Sequence, residues 1–196
     1  MRSDLLSALR PALVLTLLFA ALLGLLYPLA LTGAAQLLFP ARANGSLVVD
    51  GGRVIGSELI GQDFAAPRYF HGRPSAAGKG YDALASGGSN LGPASQALHD
   101  RVAADVKAAR AQAPGRAIPA DLVTASASGL DPDISPAAAL FQVERVARAR
   151  GLPTADVRAL AERAVERPTL GVLGDAHVNV LRLNRQLDRL AATRAR

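Results

Sequence analysis

No Asp, Glu, Lys, Arg or His falls between Arg10 and Arg42. A stretch of this kind leaves a chain few choices of surroundings. The segment reads PALVLTLLFAALLGLLYPLALTGAAQLLF, and its Leu- and Ala-rich part, residues 11–31, matches the ~20 apolar residues that span a bilayer core. Each central Leu or Phe favours insertion by roughly 0.3–0.6 kcal/mol, so the segment as a whole favours the membrane by several kcal/mol. Gly24 and Pro28 are tolerated in membrane helices, and Tyr27 suits an interfacial position. A buried core helix would keep a polar face, which this segment lacks. A cleaved signal peptide would use Arg2 and Arg10 as its charged start and Ala41-Arg42-Ala43 as its small-x-small site. The apolar run is longer than the ~7–15 residues usual for such a signal, which favours a retained anchor.

Orientation rests on weaker signals. Arg2 and Arg10 precede the span while Arg42 and Arg53 follow it, so flanking charge is nearly balanced. The short N-terminal tail has nothing to fold outside. The expected organisation is a cytoplasmic tail at 1–10, a transmembrane helix at 11–31, a linker at 32–46 and a translocated soluble domain at 47–196. About 150 residues beyond the span suffice for one domain with a modest core. Aromatic residues make up only 4% of the chain, so that core must rest on Ala, Val and Leu. The net charge of +6 is carried by Arg, with Lys only at Lys79 and Lys107, and Asp and Glu are interspersed among the Arg. Such patterning reads as solvated helix faces rather than a nucleic-acid surface. The absence of Cys removes disulfides, thiolate metal sites and thiol catalysis.

Beyond the span, Leu47-Val48-Val49 and Arg53-Val54-Ile55 flank Asp50-Gly51-Gly52, a strong hairpin signal. Residues 62–93 carry no sustained period and many Gly, Pro and Ser, yet they hold Phe64, Tyr69, Phe70 and Tyr81. Disordered tracts are poor in aromatics, so this long loop reads as an ordered functional surface. Helices are expected at about 95–111, from Pro136 behind the cap Ser135 to the stop at Gly151, from Thr154 to before Pro168, and after the cap Asn179. Short strands are expected at 121–124 and 169–173. The fold class is a single N-terminal transmembrane helix followed by one α+β (mixed α/β) extracytoplasmic domain.

Catalytic constellations are thin. His71, His99 and His177 form no H-E-x-x-H pair, no metal site is assigned, and the nucleotide P-loop and the G-x-S-x-G serine elbow are missing. Asp131-Pro132-Asp133 reads as a turn ahead of the Ser135 cap. Ser86, Gly87, Gly88, Ser89 and Asn90 form a glycine-rich run that either makes a tight turn or cradles an anion.

Several ordered segments carry a family resemblance. They are Arg73-Pro74-Ser75, Gly80-Tyr81-Asp82, the glycine-rich run with Leu91-Gly92-Pro93, Asp121-Leu122-Val123-Thr124-Ala125-Ser126, Gly129-Leu130-Asp131-Pro132, Ile134-Ser135-Pro136, Arg145-Val146-Ala147-Arg148, and Leu170-Gly171-Val172 with Val178-Asn179-Val180-Leu181-Arg182. With the single N-terminal span, the chain resembles the C subunit of the Kdp high-affinity potassium-transporting ATPase along nearly its whole length. Ala127 stands where Gly is expected, and Asp133 where His is frequent. The resemblance implies a non-catalytic accessory subunit of the bacterial inner membrane. Its partners would be a potassium-conducting channel-like subunit, a P-type ATPase subunit and membrane lipid, with no nucleic acid. It further implies a catalytic chaperone that raises the ATP affinity of the ATPase subunit, with ATP entering through that partner. On that basis Ser86, Gly87, Gly88, Ser89, Asn90 and Gln142 are nucleotide-linked or partner-contact candidates. Arg73, Tyr81 and Asp82, on a loop whose polar groups and aromatics suit partner recognition, are docking candidates. ATP is cytoplasmic while the soluble domain is expected outside, so an influence on ATP binding would be indirect coupling. A membrane-tethered hydrolase and a secreted binding protein are the alternatives from other classes.

Overall fold

The computed structural model describes residues 2–194, with side chains from Ser7 onward, and separates into two units after Leu47. The first is helical. Helix α1 (Arg2–Ala21) passes through a π-helical turn (Leu22–Leu26) into α2 (Tyr27–Leu38), and α3 (Pro40–Ala43) adds one turn. Ser7–Leu38 is long and apolar enough to cross a membrane, and none of it is buried by the chain itself. The helix thus runs beyond residues 11–31 at both ends. At 1.5 Å per residue its 32 residues reach about 48 Å, more than a ~30 Å hydrocarbon core requires.

The second unit mixes helices with very short strands. Strands β1 (Leu47–Asp50) and β2 (Arg53–Ser57) pair across a two-residue Gly51-Gly52 turn, as the Asp-Gly signal predicts. Helix α4 (Gln96–Gln112) buries only Ala109, against Ala113 and Phe141. Helices α5 (Pro136–Arg150), α6 (Thr154–Arg163) and α7 (Val180–Arg194) form the body, with α6 packing on both of the others. Between them lies the main core: Phe70, Val143, Val146, Val157, Leu160, Val178, Leu183 and Leu187 with small alanines. Strands β3 (Asp133–Ile134) and β4 (Val178–Asn179) pair antiparallel, Ile134 opposite Val178, and so set the starts of α5 and α7 side by side.

Local chemistry fixes the helix ends. The Ser135 hydroxyl accepts from the Ala138 N–H, and Asp121 accepts both the Ser135 N–H (2.7 Å) and its hydroxyl (3.0 Å). Gly151 ends α5 at φ 64°, a left-handed cap that a side chain would strain. Asn179 caps α7 by accepting the Arg182 N–H at 3.1 Å.

Two expected strands are absent. Residues 120–122 form a 3₁₀ turn, with Asp121 drawn to the α5 cap and the carbonyls of Val123 and Thr124 taken by Arg101 and Arg73. Residues 169–173 close a tight turn through one bridge, Thr169 to Leu173, which leaves Leu170 86% exposed. Helix α6 ends at Arg163, because Glu166 leaves the helix to bridge His177.

Candidate functional site

The long loop is ordered, and its backbone is what orders it. Phe70 donates its N–H to the Asn184 amide oxygen (2.8 Å) and accepts from the Asn184 amide nitrogen (2.9 Å). One residue on, Gln142 repeats the pattern: it accepts the His71 N–H (2.8 Å) and donates to the His71 carbonyl (3.0 Å). Two buried carboxamides, one from α7 and one from α5, thus imitate a pairing strand. Backbone groups buried without partners are costly, so these amides let an irregular segment lie against a core. Phe70 drives its ring into that core, fully buried.

Arginines fasten the same segment. Arg145 donates to the carbonyls of Pro67 (2.5 Å) and Tyr69 (3.0 Å) and to the Gln142 amide oxygen (2.6 Å). Its burial brings the guanidinium down to about 10, still charged at neutral pH. Arg150 donates to the Arg68 carbonyl (2.7 Å), lies 4.7 Å from the centre of the Tyr69 ring and pairs with Asp188 at 2.7 Å. His71 sits beside Arg145, and burial together with that charge lowers its pKa.

The next stretch interleaves with residues 124–131. Arg73 pairs with Asp131 at 3.0 Å and reaches Thr124. The Ser75 hydroxyl donates to the Gly129 carbonyl (2.6 Å) and accepts the Tyr81 N–H (2.8 Å). The Tyr81 hydroxyl donates to the Arg73 carbonyl at 2.6 Å, and burial pushes its pKa up to about 12. Gly87 donates its N–H to the Ser128 carbonyl (2.8 Å), as does the Ser86 hydroxyl (3.0 Å). A Cβ on Gly129 would lie 2.7 Å from both the Ala77 nitrogen and the Gly87 oxygen, so only glycine fits that crossing.

A cleft of about 380 Å³ opens beside this assembly, lined by His71, Arg73, Tyr81, Asp105, Phe141 and Gln142 among others. Of the sequence-derived candidates, Gln142, Arg73 and Tyr81 line it, whereas Ser86, Gly87, Gly88, Ser89 and Asn90 do not. Asp82 is exposed and caps the Leu84 N–H at 2.9 Å. Leu84, at the crest of the loop, is 99% exposed. Among the described residues, no group of three or more His, Asp or Glu is arranged to hold a metal ion.

Sequence reasoning assigned no role to Asn184, Arg145 or Arg150. A signal existed for Asn184. It falls on the 180, 183, 184, 187 stripe of α7, where apolar residues are expected, and a carboxamide there implies a buried partner.

A second polar cluster joins the start of α7 to the 166–177 turn. Arg182 bonds Glu58 (2.5 Å) and Glu166 (2.6 Å), and the Asn179 amide reaches Asp133 at 3.1 Å. His177 bonds the Asp175 carbonyl and lies 3.8 Å from Glu166 and 4.0 Å from Asp133. That backbone bond, followed by the neighbouring carboxylates, raises the His177 pKa. Its stabilisation is therefore fully present below about 6.5 and lost as pH rises through the folded value. The stability gap between wild type and His177→Gln is expected to shrink from pH 6 to pH 8 in melting experiments; a constant or widening gap would refute it.

Residues 9–189 match the family model "KdpC: K+-transporting ATPase, c chain". The "Potassium-transporting ATPase KdpC subunit" of Caulobacter vibrioides is 63% identical over 184 residues, covering 93% of each chain. The protein of the same name from Variovorax paradoxus is 59% identical over 191 residues, covering 96% of this chain and 99% of its own. The Gemmatimonas aurantiaca protein is 60% identical over 187 residues, with 94% of each chain covered. The match spans the apolar helix, the clamped loop and α7 together, and the chain belongs to the KdpC family.

Proposed function

We propose that this chain is the non-catalytic accessory subunit of an ATP-driven potassium uptake pump in the bacterial inner membrane. The apolar helix anchors it, and the second unit lies outside the cytoplasm. The observation that carries this reading is the family match over residues 9–189. The chain also lacks the D-K-T-G phosphorylation motif of an ATP-splitting subunit. Its partners on this reading are a potassium-conducting channel-like subunit and a P-type ATPase subunit.

The loop carrying Arg73, Tyr81, Asp82 and the glycine-rich run acts as a docking surface for the channel-like subunit. Arg73 and Tyr81 brace it from within, while Asp82, Leu84 and Asn90 face outward. Direct nucleotide contact is the second reading. Against it, Gln142 spends both ends of its amide on the chain's own backbone, and the Gly87 N–H is taken by Ser128. The chaperone role in ATP affinity then works through the partner.

Co-purification from detergent, with partners identified by mass, tests the subunit reading; recovery of the chain alone would overturn it. Leu84→Asp is expected to weaken assembly and lower potassium-dependent ATPase activity, with an unchanged melting temperature. Normal assembly with a fall only in apparent ATP affinity would favour direct nucleotide contact. A reporter active only in the periplasm, fused after Arg196, is expected to give signal; silence there with a cytoplasmic reporter active would reverse the topology.

A further inference from the structure

The transmembrane helix is irregular at one place. At Leu22–Leu26 the ladder widens to the π register, with the Tyr27 N–H bonded to the Leu22 carbonyl five residues back. The next donor in line is residue 28. It is the i+5 partner of Leu23 and the i+4 partner of Gly24, and it is proline, which has no N–H. Whichever register continues, at least one carbonyl of this pair lacks a backbone donor. The break falls near the middle of the Ser7–Leu38 span, where there is little water, and acyl chains cannot donate.

Among the described residues no side chain of the span, Tyr27 included, bonds these carbonyls. Thr16 and Thr32 each lie eight residues from Gly24, about 12 Å along the axis at 1.5 Å per residue. The backbone at Gly24 is open, with nothing within 4 Å of where a Cβ would sit. A shallow groove of about 370 Å³, lined by Ala21, Leu22, Leu25, Leu26 and Leu29, flanks the turn on a face that does not include Leu23 or Gly24. The turn therefore offers an approach free of side chain at Gly24 and, beside it, an acceptor that needs a donor.

We propose that the π-turn at Leu22–Leu26 seats a transmembrane helix of another subunit, one whose hydroxyl or carboxamide side chain donates to the Leu23–Gly24 carbonyls. Lipid alone fills the groove but leaves the acceptor unmet. A small-residue approach with a polar group crossing the interface is how membrane helices associate without a hydrophobic drive. The inference rests on the subunit reading above and adds where, and by what chemistry, the anchor is gripped.

The test uses the tagged full chain, co-expressed with its partners and purified in mild detergent. Pro28→Ala restores the missing amide and so removes the need for a partner's donor. Gly24→Leu leaves this chain unstrained but blocks close approach. Pro11→Ala removes a proline outside the π-turn and serves as control. Partner recovered per tagged chain is expected to fall about tenfold for Gly24→Leu and about threefold to tenfold for Pro28→Ala, the scale of one interhelical hydrogen bond plus its packing. Pro11→Ala is expected to match wild type, and all three variants to resist alkaline extraction from membranes. Should Gly24→Leu insert poorly, Pro28→Ala carries the comparison. In isotope-edited infrared spectra, a labelled Gly24 carbonyl is expected to absorb at lower frequency in the complex than in the isolated chain.

Wild-type recovery of partner by both Gly24→Leu and Pro28→Ala would overturn the proposal. So would a single-cysteine Gly24→Cys chain that cross-links to a second copy of itself, through which Tyr27 could reach this depth, rather than to another subunit. A wild-type chain that recovers no partner at all would instead strike the subunit reading, and is distinguishable because every variant then behaves alike.

Discussion

Asn184→Ala is expected to lower the melting temperature of the full chain in detergent by about 10 °C, at roughly 2–4 °C per kcal/mol for a chain of this size. The side chain is 1% exposed and bonds only the backbone of Phe70, as acceptor at 2.8 Å and donor at 2.9 Å. Removing it strands a buried N–H and a buried carbonyl, each costing about 1–3 kcal/mol. The sum, about 2–6 kcal/mol, is a large part of the ~5–15 kcal/mol that holds a typical domain. Asn184→Asp sets a buried carboxylate oxygen against the Phe70 carbonyl and should cost at least as much. Asp82→Ala, which loses one exposed bond from the Leu84 N–H, should cost no more than about 0.5–1.5 kcal/mol. A melting temperature for Asn184→Ala equal to that of Asp82→Ala would mean that the loop is held some other way.

Leu18→Arg is expected to remove the chain from the membrane complex. Leu18 lies in the apolar helix and is 59% exposed, with no packing inside the chain to lose. A charge at the bilayer centre costs about 2.5–3.5 kcal/mol on insertion scales, comparable with the several kcal/mol by which the segment favours the membrane. Fractionation should find less of the variant in membranes, and affinity purification should find less partner with it. Leu18→Phe, of similar hydrophobicity, should behave as wild type. Full recovery of partner with Leu18→Arg would show that this helix neither meets lipid nor carries assembly.

The parts of the fold legible in the sequence are those with a local cause. The anchor follows from the missing charges between Arg10 and Arg42, and α5 from Ser135-Pro136 at one end and Gly151 at the other. The hairpin follows from Asp50-Gly51 between β-branched runs. Where a segment depends on a distant partner, the local pattern misleads. Val123 and Thr124 suggest a strand, yet their carbonyls accept from Arg101 and Arg73, and Asp121 is held by Ser135. Asp131-Pro132-Asp133 reads as a turn, yet Asp133 pairs with Asn179, which lies far along the chain. The clamped loop was recognisable as ordered from its aromatics. Its seat was not, because the amides of Gln142 and Asn184 satisfy backbone groups, which carry no residue identity for a sequence to display. Tyr81 illustrates the same limit: its type suggests an outward anchor, and its hydroxyl turns inward to the Arg73 carbonyl.

The amide clamps also impose an order of events on biogenesis. Phe70 is 114 residues ahead of Asn184, and His71 is 71 ahead of Gln142. At about 5–20 residues per second, ribosomal synthesis delivers α7 on the order of ten seconds after residue 70. Until residue 142 is made the loop has neither amide to seat it, and until residue 184 is made it lacks the second. Its polar and glycine-rich composition suits a segment that must wait, and the clamp on Phe70 can close only once α7 has been made.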